Sequence, residues 1–228
     1  MPRSALIVGN GEPPPRALLE EFAGSDLLLC ADGGAHTALR YGLQPDYIIG
    51  DLDSLDAEAS SAIPAARLIA VDPEGDLGTD AQKVLDCAVE LDVTAAVLLG
   101  FTGRRVDHLL WNLSLLKTYH HRLALRMIDA HCEIRLIDRR IRFHAALGQK
   151  LSLCPLAGPV EGITTTGLKW PLQAEALAPG VRDGISNEVV AAPVEIAGAR
   201  ASSSHRVRWL NVSRRVMSYT SSAPAAPR

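Results

Sequence analysis

Short, unbroken apolar runs set the rhythm of the first half of the chain. Ala5-Leu6-Ile7-Val8 closes on Gly9, Leu27 to Ala31 runs into Asp32-Gly33-Gly34, and Pro45 to Gly50 leads into Asp51. Four or five apolar residues without alternation read as a strand buried on both faces. Arg67 to Val71 and Ala95 to Gly100 fit the same description. Between these runs, Arg16 to Phe22, Ala35 to Tyr41, Ala81 to Glu90 and Val106 to Tyr119 carry helical spacing. Strands alternating with helices predict an α/β, doubly wound parallel sheet whose chemistry lies at the carboxyl ends of the strands.

After about Asp129 the rhythm changes. Residues 133–137, 140–143, 150–154, 160–165 and 189–196 are short strand-like pieces separated by Gly and Pro, with no competing helical period. They predict a second, smaller all-β domain joined to the first near residue 131. From about Ala201 the chain holds no acid, gains Arg206, Arg208, Arg214, Arg215 and Arg228, and ends in Ser, Ala and Pro. The expected layout is an α/β domain over 1–131, a β domain over 132–205 and a basic, partly disordered tail over 206–228.

Composition narrows the function classes. With 23 Lys plus Arg against 26 Asp plus Glu, the 228-residue chain has a formal net charge of −3. No nucleic-acid binder working by bulk positive charge is expected. At 47% hydrophobic and 21% charged residues the chain is ordinary globular protein, long enough to bury a core without staples. Cys30, Cys87, Cys132 and Cys154 are scattered and form no CxxC pair, so they read as small buried hydrophobes. The apolar run at the N-terminus is too short for a signal-peptide core or a spanning helix, so a cytoplasmic protein with no membrane partner is expected.

The candidate chemistry sits where strands end. Gly50-Asp51-Leu52-Asp53-Ser54 places two carboxylates at i, i+2, able to converge on one hard cation such as Mg²⁺. Asp80 follows Thr79, a candidate N-cap, and Asp76 lies just upstream. Taken singly, each Asp is as well explained by turn and capping chemistry; together, at successive strand ends, they favour a metal. Asp32-Gly33-Gly34-Ala35 joins a strand to a helix and leaves backbone N–H groups free for phosphate. Gly100 to His108 is a second such turn carrying Arg104 and Arg105, two guanidinium groups suited to phosphate oxygens or simply to solvent. Asp107 follows, and His108 forms an i, i+4 polar pair with Asn112. Neither GxxxxGK[ST] nor GxGxxG occurs. In the β half, Thr164 to Leu172 and Gly184 to Glu188 read as polar turns containing Trp170, Ser186 and Asn187. Trp170 there is either packing or a ligand platform.

In this order, CADGGAHTA (30–38), PDYIIGDLDSLD (45–56), TDAQKVL (79–85), LLGFTGRRVDHLLWN (98–112), SLCPL (152–156), TTTGLKWPL (164–172) and GISNE (184–188) resemble the thiamine pyrophosphokinase family. The resemblance covers roughly residues 5–198. It implies a Rossmann-like ATP-binding domain followed by a β-sandwich that contributes to a thiamine pocket, and a homodimer with active sites between subunits. It implies Mg²⁺ and ATP-phosphate carboxylates at Asp51, Asp53 and Asp80, with Asp32, Gly33, Gly34 and His108 on the nucleotide side. Arg105 and Asp107 match the Arg and Asp of the family's GGRxDH stretch, and Trp170, Ser186 and Asn187 match thiamine-side positions. The implied reaction converts thiamine and ATP into thiamine diphosphate and AMP. Its rivals are a pyrophosphokinase for another hydroxymethyl heterocycle, such as a pterin, and a non-catalytic nucleotide-binding module. This chain departs from the family pattern at His36, which stands where Asn is usual. It departs again at Arg104, in place of the second Gly of GGR, and in the stretch Asp76 to Asp80, which is one residue longer.

Overall fold

The computed structural model describes residues 2–50, 67–70, 78–156, 158–198 and 209–214. The first half runs β1 (Arg3–Val8), α1 (Arg16–Phe22), β2 (Leu27–Ala31), α2 (Gly34–Arg40), β3 (Tyr47–Gly50), β4 (Arg67–Ala70), α3 (Asp80–Glu90), β5 (Val93–Leu99), α4 (Val106–Tyr119) and β6 (Ala124–Ile128). The second half adds β7 (Cys132–Ile137), β8 (Arg140–Phe143), β9 (Lys150–Pro155), β10 (Val160–Thr166), β11 (Glu175–Leu177), β12 (Gly184–Glu188), β13 (Val194–Ala197) and β14 (Trp209–Arg214).

The strands of the first half form a parallel sheet in the order β6-β5-β1-β2-β3-β4. Residues alternate sides along each strand, so Ala5 and Ile7 of β1 pack with Val84, Leu85 and Ala88 of α3 and Leu115 and Leu116 of α4. Leu6 and Val8 face the other way, against Leu18 and Leu19 of α1 and Ala35 and Ala38 of α2. This two-sided burial is why β1 reads as a continuous apolar run, and each such side chain contributes roughly 1.5–3 kcal/mol. From β1 the chain winds outward through β2, β3 and β4, then crosses back to place β5 on the other side of β1. The carboxyl ends of β1 and β5 therefore flank the point where strand order reverses, the usual ligand crevice of an open α/β sheet.

β6 escapes the pattern expected of a buried strand because Arg126 interrupts its apolar run. Across the sheet, Arg126 donates through Nε and Nη2 to the two carboxylate oxygens of Glu133 on β7, each at 2.9 Å. Asp129 Oδ1 accepts from the backbone N–H groups of His131 and Cys132 and turns the chain antiparallel at this point.

The sheet does not stop at the expected border near residue 131. β7, β14, β9 and β12 continue it with antiparallel strands, giving ten strands in the order β12-β9-β14-β7-β6-β5-β1-β2-β3-β4. A separate four-stranded sheet, β11-β10-β13-β8, supplies the second layer of the sandwich. Ile137, Leu151 and Leu153 meet Val160, Ile163, Leu177, Val194 and Ile196 in the core between the layers.

Three expectations need correction here. Residues 209–214, assigned to the tail, form β14 in the middle of the antiparallel half, with Leu210 opposite both Leu136 and Cys154. The Arg-rich flanks hid a six-residue segment of strand-forming character. GISNE is strand β12 rather than a turn, paired with β9 through an irregular register that lets polar residues sit at the sheet edge. Residues 189–196 are not one strand: β13 begins only at Val194, after Pro193, which has no N–H to offer a ladder.

Candidate active site

Two glycine loops interlock at the switch point. The backbone N–H of Gly9 donates to Leu99 O at 2.8 Å, that of Gly11 to Gly100 O at 2.7 Å, and that of Glu12 to Thr102 O at 2.8 Å. A Cβ on Gly11 would lie 2.5 Å from two carbonyl oxygens of the opposite loop, so the approach requires glycine. Asn112, buried on α4, fixes the second loop by donating its amide to Phe101 O at 2.9 Å. Arg104 has φ +51 and donates through Nη1 to the carbonyl oxygen of Asn10 at 3.1 Å, tying the loops together at their rim.

These loops and the start of α3 enclose a cleft of about 690 Å³. Its walls include Asn10, Asp80, Lys83, Arg104, Arg105 and His108, together with Thr79 and the glycines of both loops. Thr79 caps α3, accepting from Gln82 N–H on its hydroxyl at 3.4 Å, which sets Asp80 in the first turn at the mouth of the cleft. Lys83 lies one turn further on, its side chain 7% exposed and its Nζ 3.7 Å from Asp80 Oδ1.

Arg105 precedes α4 and donates through Nε to Asp107 Oδ1 at 3.1 Å and through Nη2 to Oδ2 at 2.5 Å. This fork holds the Asp107 carboxyl well below its usual range, at about 2, and raises the Arg105 guanidinium further. Asp107 does not line the cleft; it orients the guanidinium that does.

Gly33 and Gly34 are buried behind the β1 loop rather than on the cleft wall. A Cβ on Gly34 would sit 2.2 Å from Val8 O, and one on Gly33 would sit 2.5 Å from Asn10 Nδ2. The pair lets α2 start close against the end of β1 and seats Asn10. Asp32 is 5% exposed with φ +42, and its Oδ1 has no hydrogen-bond partner. It abuts Gly50, whose Cβ would come within 2.8 Å of Asp32 Cβ. Gly50 ends β3 and precedes Asp51 in the chain. Asp51, Asp53 and Asp76 lie outside the described residues. Asp32 and Asp80 are carboxylates, oxygen donors of the kind that Mg²⁺ takes, but among the described residues no group of three or more His, Cys, Asp or Glu side chains is placed to hold a metal ion.

In the β half, Trp170 is 56% exposed and Lys169 Nζ stands 5.0 Å from the centre of its ring system. Buried Asn187 holds the Trp170 backbone, and exposed Ser186 has φ +61 with its N–H donating to Ser152 Oγ at 3.0 Å. None of Trp170, Ser186 and Asn187 lines the cleft of the same chain. One protomer thus gathers Asp80, Arg105 and His108 in one place and Trp170, Ser186 and Asn187 in another.

The sequence matches the description "Thiamin pyrophosphokinase, catalytic domain" over residues 18–127 and "Thiamin pyrophosphokinase, vitamin B1 binding domain" over residues 136–199. It is 30% identical over 198 residues to thiamine pyrophosphokinase 2 of Arabidopsis thaliana, covering 75% of this chain and 73% of that protein. The chain belongs to the thiamine pyrophosphokinase family. The thiamine pyrophosphokinase of Bacillus subtilis (strain 168) is 28% identical over 202 residues, covering 81% of this chain and 88% of that one. In three dimensions the crystal structure of thiamin pyrophosphokinase from Geobacillus thermodenitrificans superposes with a TM-score of 0.80 at 27% identity, over 94% of this chain and 99% of the other.

Within this thiamine pyrophosphokinase fold, sequence reading passed over two wall residues. Asn10 sits between two glycines after a strand, a signal overshadowed by the better-known glycine patterns. Lys83 lies inside TDAQKVL, where its i, i+3 spacing from Asp80 was the available signal and its burial was not.

Proposed function

We propose that the cleft between the β1 and β5 loops binds Mg·ATP and that its pyrophosphoryl group passes to the hydroxyl of thiamine, with AMP as the leaving product. Thiamine pyrophosphokinase activity follows from family membership; the nucleotide, the metal and the residue roles are our reading. The observation that carries it is the convergence, at the strand-order switch, of interlocked glycine loops with Lys83, Arg104, Arg105 and Asp80 on one cleft wall.

Asp51, Asp53 and Asp80 would hold Mg²⁺, and Asp32 and His108 would serve the nucleotide side. When bound, the metal neutralises charge on the phosphates. Arg105, aimed by Asp107, stabilises charge that develops as the pyrophosphoryl group moves. Asp107 titrates at about 2, so it is too weak a base to take the thiamine hydroxyl proton near neutrality. The glycine loops, whose N–H groups at Gly9 and Gly11 tie them to each other, leave room for the phosphates by placing no side chain in the way.

Trp170, with Ser186 and Asn187, supplies the thiamine side. We place it against the cleft of a second copy, in a homodimer with sites between subunits. Two surfaces support this reading: Val106, Leu110 and Trp111 form an exposed apolar stripe on α4 beside Arg105, and Trp170 and Ile185 are exposed on the β half. Among the described residues no helix is long and apolar enough to cross a membrane. The four free cysteines fit a reducing, cytoplasmic setting. Thiamine-dependent release of AMP tests the reaction. ADP would mean ordinary phosphoryl transfer, AMP formed only with a pterin alcohol would mean the rival substrate, and nucleotide binding without turnover would mean a binding module.

A further inference from the structure

Three cations line the cleft, and two of them have hydrogen-bond partners. Arg104 donates to Asn10 and Arg105 to Asp107. Lys83 differs. Its side chain is 7% exposed, yet the nearest carboxylate oxygen, Asp80 Oδ1, is 3.7 Å from Nζ and beyond hydrogen-bond reach. Among the described residues no closer acceptor meets this ammonium. Asp80 is itself 41% exposed, so it is not buried to serve Lys83. A buried ammonium with one distant partner carries a desolvation cost that a loose ion pair does not offset. The cost is tolerable where a ligand completes the coordination, and here Lys83 lines the same cleft as Gly9, Gly11 and Gly100. A compact charge on a flexible stem suits a single phosphoryl oxygen, whereas the arginine forks at the rim suit two.

We propose that Lys83 binds a phosphoryl oxygen in the pyrophosphoryl part of the nucleotide. This rests on the nucleotide reading of the cleft. Lys83 is then a charge kept for ligand, at some expense in the stability of the empty protein.

The test measures equilibrium binding of ATP, inorganic pyrophosphate and adenosine to the full chain, alongside thermal melting. Lys83→Met keeps the stem and removes the charge. ATP and pyrophosphate affinities should fall about tenfold or more, the usual scale for a hydrogen bond to a charged group. Adenosine binding should stay as in the wild type, and the melting temperature should hold or rise. Unchanged ATP and pyrophosphate affinity with a lower melting temperature would make Lys83 a structural partner of Asp80 and overturn the proposal alone. A wild-type protein that binds neither phosphate ligand would overturn the nucleotide reading and this proposal together. Lys83→Gln, read on the same three ligands, decides the matter if the methionine variant does not fold.

Discussion

Asn187 grips the main chain of Trp170 from both sides. Its Oδ1 accepts from Trp170 N–H at 3.1 Å and its Nδ2 donates to Trp170 O at 2.7 Å, while Oδ1 also accepts from Glu188 N–H at 2.8 Å. The amide is buried and committed to backbone; the indole it positions stands out in solvent. Asn187 is therefore a positioning residue for the thiamine side in our reading, one step removed from substrate.

Asn187→Ala should act like a weak copy of Trp170→Ala. It takes this partner from two backbone donors and one acceptor, which costs about 1–3 kcal/mol for each group that stays buried and unpaired. The melting temperature should fall and the KM for thiamine should rise, with little change in KM for ATP. Asn187→Asp keeps the acceptor and loses the donor, so it should lie between. A raised thiamine KM with no loss of stability in Asn187→Ala would instead put the amide in direct contact with substrate.

Most of the parallel half of the fold was legible because β1, β2, β3 and β5 are largely buried apolar runs closed by Gly or Asp, so composition marks both the element and its end. β6 was not, since Arg126 looks like a break until Glu133 on β7 is seen to neutralise it. β14 was hidden for a different reason: its partners β7 and β9 lie more than fifty residues upstream, and local composition points only to a tail. The site divides in the same way. Asp80, Arg105 and His108 come together as their strand ends suggested. Gly33 and Gly34 pack closely against Asn10 and Val8, a contact between elements that no local spacing encodes. Lys83 needed burial to stand out.

The Arg105–Asp107 fork makes a prediction about pH. Asp107 titrates at about 2 in the folded chain against an ordinary 3.8. Its folded value is depressed, so any stabilisation from the pair is fully present above about pH 4 and fades as pH falls toward 2. An acid limb in the rate profile between about pH 5 and 7 therefore belongs to another group. Asp107→Asn should lower the rate at every pH by loosening Arg105, without moving that limb. A limb that shifts or vanishes in the variant would make Asp107 the titrating group. Both readings come from one pH–rate series on wild type and variant.

Arg104 and Arg105 should respond differently to substitution. Arg104 holds a left-handed conformation, which costs a non-glycine residue on the order of 1 kcal/mol, and makes a rim hydrogen bond of similar worth. Arg104→Gly exchanges one for the other, so stability should change little and the rate modestly. Arg105→Lys keeps the charge but loses the planar fork that Asp107 orients, and should lose far more rate. If Arg104→Gly proves the more damaging, the guanidinium that serves transfer is Arg104, and the assignment is off by one residue. Steady-state rates at saturating ATP and thiamine, with melting curves, separate the cases.

The last prediction concerns how the site is divided between copies. Asp51→Asn or Asp53→Asn removes charge from the proposed metal site at nearly constant volume, and should abolish turnover, at a cost of several kcal/mol in transition-state stabilisation, with the fold intact. Trp170→Ala should raise the thiamine requirement, with cation–π and stacking contacts worth roughly 0.5–2 kcal/mol, and leave ATP binding unchanged. In one chain Trp170 does not line the cleft that holds Asp80 and Arg105, so the two defects should fall in the same site of a mixed dimer. A heterodimer of Asp51→Asn and Trp170→Ala chains carries both lesions in one of its sites and neither in the other. Co-refolding the two and titrating thiamine should restore a component with wild-type thiamine KM, at up to about half of the sites in each heterodimer and a quarter overall for random pairing. Activity no greater than the sum of the parents, in a mixture shown to contain heterodimers, would mean that each site is built within one chain. The indole would then have to reach its own cleft by a rearrangement of the β half.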